Sequence, residues 1–368
     1  MRWIVDRVIL AAALGVASFG LAPARGADLP ASEYRLSGPH GHANLSIYLV
    51  HGRATDRGGA MLTLQEALKR GVARIRETGN VDQLTIENTG NEPVYVQAGD
   101  IVKGGQQDRV LRLDLVLAPR SGPIQIASFC VEQGRWAQRG GEDVRHFSSA
   151  DAAIPSRDLK LAAREVAKPA PAGPVATEPV LPGSRRQQAG NRGPASAQSE
   201  VWAGVADLQR KLGGNVRGDV AAPASRTSLQ LSLENDKLRA AADAYYAALV
   251  GLIDKEPDAI GFAFAIDGKI NSADVYGSPA LFRQMWAKLL RAASTEALAE
   301  RKEGTPATPP TAEAMKAFLV ASEAARPTER DLAGGGKQVT RDGDKAVVFE
   351  TRRAASAPGF VHRNYLGK

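Results

Sequence analysis

Short runs of alternating hydrophobic and polar positions dominate the first half of the chain. The clearest run is 109–117, in which leucines at every second position share one face, with Arg112 and Asp114 on the other. Further strands, separated by turn residues, are predicted at 45–50, 72–76, 84–87, 94–97 and 124–132. Short strands at this spacing are typical of an antiparallel sandwich or barrel.

Helical periodicity replaces the alternation after residue 198. Apolar residues at positions 201, 205, 208 and 212 predict a helix that begins at Ser199 and ends at Gly213-Gly214. More helices are predicted over 233–253, from Ser278-Pro279 onward, and over 312–325. Asp-Gly pairs between apolar runs predict hairpins at 259–276 and 338–352. The predicted fold is α+β, with a sandwich or barrel-like N-terminal half followed by helices and a β-hairpin.

The first 26 residues have the three parts of a secretory signal peptide. An arginine-containing start precedes an apolar run over 8–21, and small-residue cleavage patterns end at residues 24 and 26. An uncleaved anchor helix is less favoured, because a membrane span needs ~20 apolar residues. We therefore expect an exported protein, periplasmic in a Gram-negative bacterium and secreted otherwise, with no integral membrane span after cleavage.

The rest of the chain divides by composition. Prolines and the lack of an apolar period predict a disordered linker. The expected organisation is a solvated N-terminal segment at 27–43, a β-rich half at 44–165, the linker at 166–197, an α+β half at 198–300, and a C-terminal helix, hairpin and tail at 301–368.

Composition and charge narrow the possible functions. The 47 Lys and Arg residues exceed the 40 Asp and Glu residues, but the two signs alternate, so we expect no nucleic-acid partner. The single cysteine excludes an intramolecular disulfide and a cysteine-rich metal site. His40-Gly41-His42 could begin a metal site, but no third ligand follows at a recognised spacing. The sequence also lacks the glycine pattern of a phosphate-binding loop. We expect no metal and no cofactor.

Two polar segments, 99–109 and 130–136, are the strongest candidates for a site. Their glycines let a backbone approach a ligand, and their amides and charges suit a polar or anionic molecule. The predicted ligand-binding residues are Lys103, Gln107, Arg109, Gln133, Arg135 and Trp136, together with Glu200 and Trp202 at the start of the first helix. The candidate general acids or bases are Asp100, Asp108 and Glu132. Exposed ion pairs and packed turns explain the same compositions equally well.

Cys130 lies inside the second segment. A thiol nucleophile needs a base and a lowered pKa, and no histidine is close in sequence. A small buried cysteine is therefore the favoured interpretation.

Several segments, in this order, resemble a known family. They are Leu64-x-Glu66-Ala67-Leu68-x-x-Gly71, Gly99-Asp100-x-x-x-Gly104-Gly105-x-Gln107-Asp108-Arg109, Cys130-Val131-Glu132-Gln133-Gly134-Arg135-Trp136, Gln198-x-Glu200-Val201-Trp202, and Tyr276-Gly277-Ser278-Pro279 with Trp286-x-Lys288-Leu289-Leu290. Over about residues 44–300 the chain is similar to the ARG and rhodanese–phosphatase-superfamily-associated protein domain. The family name records association with ADP-ribosylglycohydrolases and rhodanese-type phosphatases, which implies a link to ADP-ribose or nucleotide-derived metabolites.

Three functions remain open at this point. The first is binding of an anionic, nucleotide-like or sugar-like small molecule, and the second is hydrolysis of a nucleotide-derived metabolite. The third is an envelope scaffold whose motifs only stabilise the fold. Because the helix after the linker needs an apolar surface, we expect it to pack on the β-rich half. The segments 99–109, 130–136 and 198–202 would then converge in one polar cleft.

Overall fold

A computed structural model describes residues 29–56, 58–165, 194–304, 307–353 and 359–368. The predicted signal peptide and all of the predicted linker except residues 194–197 lie outside the described residues. The described chain has an α+β fold with mostly antiparallel sheets, as the sequence predicts. None of its described helices is long and apolar enough to cross a membrane.

Strands form at the predicted 45–50, 72–76, 84–87, 94–97 and 124–132, and the structure adds further strands in the first half and at the C-terminus. The described strands are β1 (Arg35–His42), β2 (Leu45–His51), β3 (Leu62–Thr63), β4 (Ala73–Glu77), β5 (Gln83–Asn88), β6 (Val94–Val96), β7 (Asp100–Gly104), β8 (Arg109–Leu111), β9 (Leu115–Leu117), β10 (Gly122–Cys130), β11 (Phe147–Ala153), β12 (Ala259–Ile266), β13 (Lys269–Tyr276), β14 (Pro327–Asp331), β15 (Lys337–Asp342), β16 (Ala346–Arg352) and β17 (Phe360–Gly367). The helices are α1 (Leu64–Lys69), α2 (Arg157–Glu165), α3 (Pro194–Val216), α4 (Leu229–Leu233), α5 (Asp236–Leu249), α6 (Leu252–Lys255), α7 (Pro279–Ala299) and α8 (Ala312–Ser322).

One eight-stranded antiparallel sheet joins both ends of the chain. Its order is β1-β2-β12-β13-β17-β16-β15-β14. The segment expected to be solvated at 27–43 therefore contains an edge strand, in which His40 lies 3.4 Å from Glu256 and His42 packs edge-on against Tyr245. The expected C-terminal tail supplies an interior strand, β17. Sequence pattern missed both because their partners are distant along the chain.

The β-rich half forms a six-stranded sheet and a three-stranded sheet. Their orders are β11-β7-β8-β10-β5-β4 and β3-β6-β9, with β3 and β6 parallel. The single strand predicted at 109–117 is wrong, because residues 112–114 separate β8 from β9. Here Arg112 Nε donates to the Ala163 carbonyl at 3.1 Å, and Asp114 accepts from the Ala98 N–H at 2.6 Å. Both polar side chains are buried on these partners, so the strand breaks where they turn inward.

The helices pack over the large sheet and against β10. The helix α3 begins at Pro194, earlier than the predicted Ser199, and its predicted apolar stripe is buried. The single helix predicted over 233–253 is instead α4, α5 and α6. Asn235 follows α4 and caps α5, because its side chain accepts hydrogen bonds from the N–H groups of Lys237 and Leu238. Ser278 caps α7 as predicted, with Pro279 at its first position.

Candidate functional site

The two polar segments of the β-rich half meet at one end of β8 and β10, which are neighbouring interior strands of the six-stranded sheet. Asp108 immediately precedes β8, and Glu132 is the second residue after β10. These strands are antiparallel neighbours, with Cys130 opposite Arg109, so both carboxylates come to the same end of the pair. We call Asp108, Glu132, Arg135, Arg139 and Ser228 the diacid–arginine cluster.

Arg139 bridges the two carboxylates. Its Nη1 lies 3.0 Å from Asp108 Oδ2 and 3.2 Å from Glu132 Oε1, and its Nη2 lies 3.0 Å from Asp108 Oδ1. Arg135 Nη2 adds an ion pair to Glu132 Oε2 at 2.7 Å. The Ser228 hydroxyl, from the N-terminus of α4, donates to Asp108 at 2.8 Å. Both carboxylates have no exposed side-chain surface, so the arginines compensate the cost of burying them.

The arginines belong to an irregular loop over residues 131–146. Arg135 holds this loop against the sheet, because its guanidinium also donates to the carbonyls of Gly105 at 3.2 Å and Ala137 at 2.6 Å. A loop of this length without regular structure is uncommon, and such loops are often functional. The loop therefore closes over Asp108 and Glu132 through charge pairing, with no regular secondary structure of its own.

The pKa values of the two carboxyls are shifted in opposite directions. Burial raises the pKa of Asp108, and the nearby Glu132 charge adds to that effect against the hydrogen bonds from Arg139. Burial also opposes ionisation of Glu132, but hydrogen bonds, first of all from Arg135, outweigh it and lower the pKa of Glu132. Two adjacent carboxyls with diverging pKa values are also an arrangement that acid–base catalysis uses.

Arg109 connects the cluster to an exposed indole. Its buried guanidinium contacts Cys130 Sγ, donates to Gln107 Oε1 at 3.0 Å and pairs with Glu77 at 3.3 Å. The guanidinium carbon lies 5.4 Å from the ring centroid of Trp136, which is 45% exposed. A cation close to one face of an indole attracts the ring and leaves the other face accessible to solvent. Trp136 is therefore a solvent-accessible aromatic surface beside the cluster, positioned by Arg109.

Cys130 is buried, and burial raises the pKa of its thiol to about 11. A thiol with such a pKa is protonated at neutral pH and is a poor nucleophile. Replacing Cys130 by serine buries a hydroxyl, and we expect the free energy of unfolding to fall by about 1–3 kcal/mol. Chemical denaturation measures the loss. Retained stability together with loss of a measured activity would instead assign Cys130 a chemical role.

Some of the predicted site residues do not contact the side chains of Asp108 or Glu132. Lys103 lies at the cluster's margin and binds Glu234 at 2.8 Å, and the Gln133 carbonyl accepts from Thr227. Asp100 lies elsewhere and pairs with the buried Lys288 at 2.5 Å.

The helix segment at 198–202 approaches β10 through a residue outside the predicted set. Gln198 accepts from the Cys130 N–H at 2.9 Å and donates to its carbonyl at 2.8 Å, so α3 packs on the β-rich half as expected. Glu200 lines a separate cavity of about 160 Å³ together with Leu159 and Glu296. Trp202 is half-buried. The expected single cleft is thus incomplete: Gln198 reaches the sheet, and Glu200 faces away from it.

Sequence reasoning did not identify four residues that complete these contacts: Glu77, Arg139, Gln198 and Ser228. Three of them are far along the chain from the residues they bind, since Glu77 pairs with Arg109, Gln198 binds the Cys130 backbone and Ser228 binds Asp108. Arg139 is seven residues beyond Glu132 in an irregular loop, where no periodicity indicates direction.

A second buried polar group joins the two large sheets, and we call it the Asp–His–Asp cluster. His362 Nδ1 lies 2.7 Å from Asp114 Oδ2, and its Nε2 lies 3.0 Å from Asp274 Oδ1. Arg164 pairs with Asp114 at 3.3 Å, and the imidazole stacks on Tyr276 with ring centroids 4.5 Å apart. Both ring nitrogens are used by carboxylates, so this histidine is held as a doubly hydrogen-bonded cation.

The electrostatics of this cluster agree with that protonation state. Burial would lower the pKa of His362, but the Asp114 charge outweighs it and raises the pKa. For Asp114, burial is outweighed by the charges of His362 and Arg164, which lower its pKa to about 2. The same histidine also lowers the pKa of Asp274 against the effect of its burial. The cluster is consequently an internal ion network without an open ring nitrogen.

Both clusters lie within the range that one family model matches. A family model described as the ARG and Rhodanese-Phosphatase-superfamily-associated Protein domain matches residues 33–366. The chain belongs to this family. No curated protein and no solved structure matches the chain.

The family match extends the resemblance on both sides of 44–300. It includes β1 at one end and most of β17 at the other, the strands that complete the eight-stranded sheet. The C-terminal region expected to lie outside the family is therefore part of the domain, because His362 on β17 binds Asp114 from the first half. Within the described ranges, no group of three or more His, Cys, Asp or Glu residues is arranged to hold a metal ion.

Proposed function

We propose that this domain binds a nucleotide-like or sugar-like small molecule on Trp136. The observation that carries the proposal is the exposed indole, 45% accessible, supported by Arg109 and flanked by polar loop residues. Exposed aromatic rings bind planar bases and sugar faces by stacking, while nearby amides and carbonyls provide direction. Gln133 and Gln138 in the same loop have exposed side chains suited to that role.

The diacid–arginine cluster supports this proposal as the base of the loop. Arg135 and Arg139 are paired with buried carboxylates, so their charges are already compensated. An anionic group of the ligand would therefore gain less from them than from free guanidinium groups. Their proposed role is to fix residues 131–146, which reduces the entropy cost of ligand binding at Trp136.

Hydrolysis of the bound molecule is a second candidate function. The raised pKa of Asp108 beside the lowered pKa of Glu132 favours it, because one carboxyl can donate a proton while its neighbour stays ionised. This chemistry requires the loop to open, since both carboxylates are buried beneath Arg139. We also propose that the protein works after export, on the basis of the signal-like first 26 residues.

The binding proposal is tested by thermal unfolding of the mature chain with ADP-ribose, ADP and ribose 5-phosphate. A ligand at 100 times its dissociation constant stabilises the folded state by ~2.7 kcal/mol. We expect a shift for at least one compound, at least about tenfold weaker binding in Trp136→Ala, and unchanged binding in Val320→Ala. Val320 is a matched control because it is another exposed apolar side chain, 40% accessible, on α8.

Two outcomes would overturn the proposal. Equal affinity of Trp136→Ala and wild type would remove the stacking surface from the site, and no shift with any compound would favour the scaffold function. Mass spectrometry of the recovered ligand separates the two candidate functions, because a binding domain returns the compound intact and a hydrolase returns products.

A further inference from the structure

A cavity of about 160 Å³ lies between the helices α2, α3 and α7, and we call it the helix cavity. Its volume is comparable to the ~150 Å³ of an engineered protein cavity that binds one benzene molecule. The helix cavity therefore has room for a small organic molecule. Among the described residues, none that line it belongs to the loop over 131–146, so it is separate from the surface at Trp136.

The lining of the helix cavity combines apolar and acidic side chains. Leu159 and Ala162 of α2 and Leu208 of α3 provide apolar surface. Five lining residues are acidic and one is basic: Asp158, Glu200, Asp207, Glu296 and Glu300 against Lys211. A molecule that matches this lining carries both aliphatic carbon and positive charge.

Three of the five acidic residues are already paired with basic side chains. Lys211 Nζ lies 2.7 Å from Glu300 Oε1 and 3.2 Å from Asp207 Oδ2, so an ammonium group of the chain binds two of these carboxylates. Asp158 pairs with Arg157 at 3.1 Å. Lys211 thus shows which kind of donor the carboxylates of this cavity accept.

The other two acidic residues, Glu200 and Glu296, have no ion pair in the parts of the chain that the structure describes. Glu296 is only 6% exposed. Its Oε1 accepts from the Arg157 N–H at 2.8 Å and from Asn271 Nδ2 at 2.9 Å, whereas its Oε2 has no hydrogen-bond partner there. Buried carboxylates are rarely left without a cation, so Glu296 needs a partner of positive charge.

The position of Glu296 on its helix favours a cation as well. It lies in the last turn of α7, and Ala299 and Glu300 at the same helix end also line the cavity. The carbonyl end of a helix carries partial negative charge, which stabilises a nearby cation. Glu200 on α3 is exposed, so the cavity opens to solvent at that residue.

We propose that the helix cavity binds a small aliphatic amine, with an ammonium group on Glu296 Oε2 and the carbon chain against the apolar lining residues. An ammonium group has three N–H donors and forms charge-assisted hydrogen bonds with carboxylates. Putrescine, the diamine of butane, has as many non-hydrogen atoms as benzene and therefore fits the volume. Its second ammonium group lies towards Glu200, where the cavity meets solvent.

The test is isothermal titration of the full mature chain with putrescine, butanediol and magnesium chloride at equal ionic strength. We expect putrescine to bind and butanediol, which has the same carbon chain without the charges, not to bind measurably. Magnesium should bind at least about tenfold more weakly than putrescine, because it prefers an octahedral set of oxygen ligands. Tighter magnesium binding that depends on Glu296 would overturn the proposal in favour of a metal ion.

Substitutions locate the binding in the helix cavity. Glu296→Gln keeps an acceptor for the Arg157 N–H and removes the charge, and it should weaken putrescine binding at least about tenfold. Ala162→Leu fills part of the cavity from α2 without changing any charge and should weaken binding by a similar factor. Glu313→Gln removes an exposed glutamate from α8 and should bind as wild type does. Circular dichroism checks that each variant is folded.

Four results would contradict an amine site in this cavity. They are wild-type putrescine affinity in Glu296→Gln, wild-type affinity in Ala162→Leu, equal binding of butanediol and putrescine, and no putrescine binding by the wild type at millimolar concentration. Because the full chain is titrated, occupation of the cavity by another part of the chain would appear as the last of these.

Discussion

Replacement of Arg139 by methionine is expected to lower the free energy of unfolding by about 3–5 kcal/mol. The guanidinium bridges Asp108 and Glu132, and both carboxylates have no exposed side-chain surface. Methionine fills a similar volume without a charge, so the variant leaves buried carboxylate charge uncompensated. Urea denaturation of the mature chain at neutral pH measures the loss.

Two further variants separate the lost pairing from other effects at this position. Arg145→Met removes an exposed arginine from the same loop and should change stability by less than about 0.5 kcal/mol. Adding Asp108→Asn to Arg139→Met should restore part of the loss, because one of the unpaired carboxylates is then neutral. A loss under 1 kcal/mol for Arg139→Met, or a double variant that is less stable by the full sum, would contradict the pairing.

Replacement of His362 by glutamine is expected to cost a similar amount, about 3–5 kcal/mol at mildly acidic pH. The substitution removes the cation between Asp114 and Asp274, which are both buried. Because Arg164 still pairs with Asp114, the larger part of the penalty falls on Asp274.

The stabilisation that His362 provides should depend on pH. The folded-state pKa of His362 lies above its ordinary value of 6.5, so its stabilisation is complete below pH 6.5 and is lost as pH rises through the folded-state pKa. The folded-state pKa of Asp114 is about 2 against an ordinary 3.8, so its contribution is lost as pH falls below that ordinary value. The wild type should exceed His362→Gln in stability most strongly between these limits.

Denaturation curves from about pH 4, near the ordinary pKa of an aspartate, to about pH 9, well above the ordinary pKa of a histidine, test the prediction. The control is His146→Gln, since His146 is 44% exposed and pairs with Asp143 at the surface. Exposed pairs contribute little, so this control should keep the wild-type pH profile. A stability difference between wild type and His362→Gln that is independent of pH would show that the histidine is buried in its neutral form.

Local sequence pattern predicted those elements whose partners are close along the chain. The Asp267-Gly268 hairpin and the helix capped by Ser278 form as expected, because turn chemistry and capping are decided within a few residues. The strand predicted over 109–117 failed at Arg112 and Asp114. Their alternation looks like a solvent face, and their partners Ala163 and His362 cannot be recognised from local sequence.

The candidate site shows the same division. Asp108, Glu132 and Arg135 were identified from motif composition, and strand pairing brings them together. Arg139 reaches that cluster from an irregular loop, and Ser228 reaches it from a helix cap 120 residues beyond Asp108. Neither position has a periodic signal. The pairing of β1, β2 and β12–β17 in one sheet also joins strands that are distant along the chain. Composition therefore predicted a separate N-terminal segment and a C-terminal tail, whereas both contribute strands to this sheet.

A crystal structure of the mature chain with ADP-ribose decides most directly whether Trp136 is the ligand-binding surface. The expected result is an adenine or ribose ring stacked on the indole face away from Arg109, with the two ring centroids about 4.5–7 Å apart. The loop over 131–146 should retain the Arg139 bridge to Asp108 and Glu132 if the domain only binds the molecule. Ligand density in the cavity beside Glu200, with Trp136 still facing solvent, would contradict the proposed site.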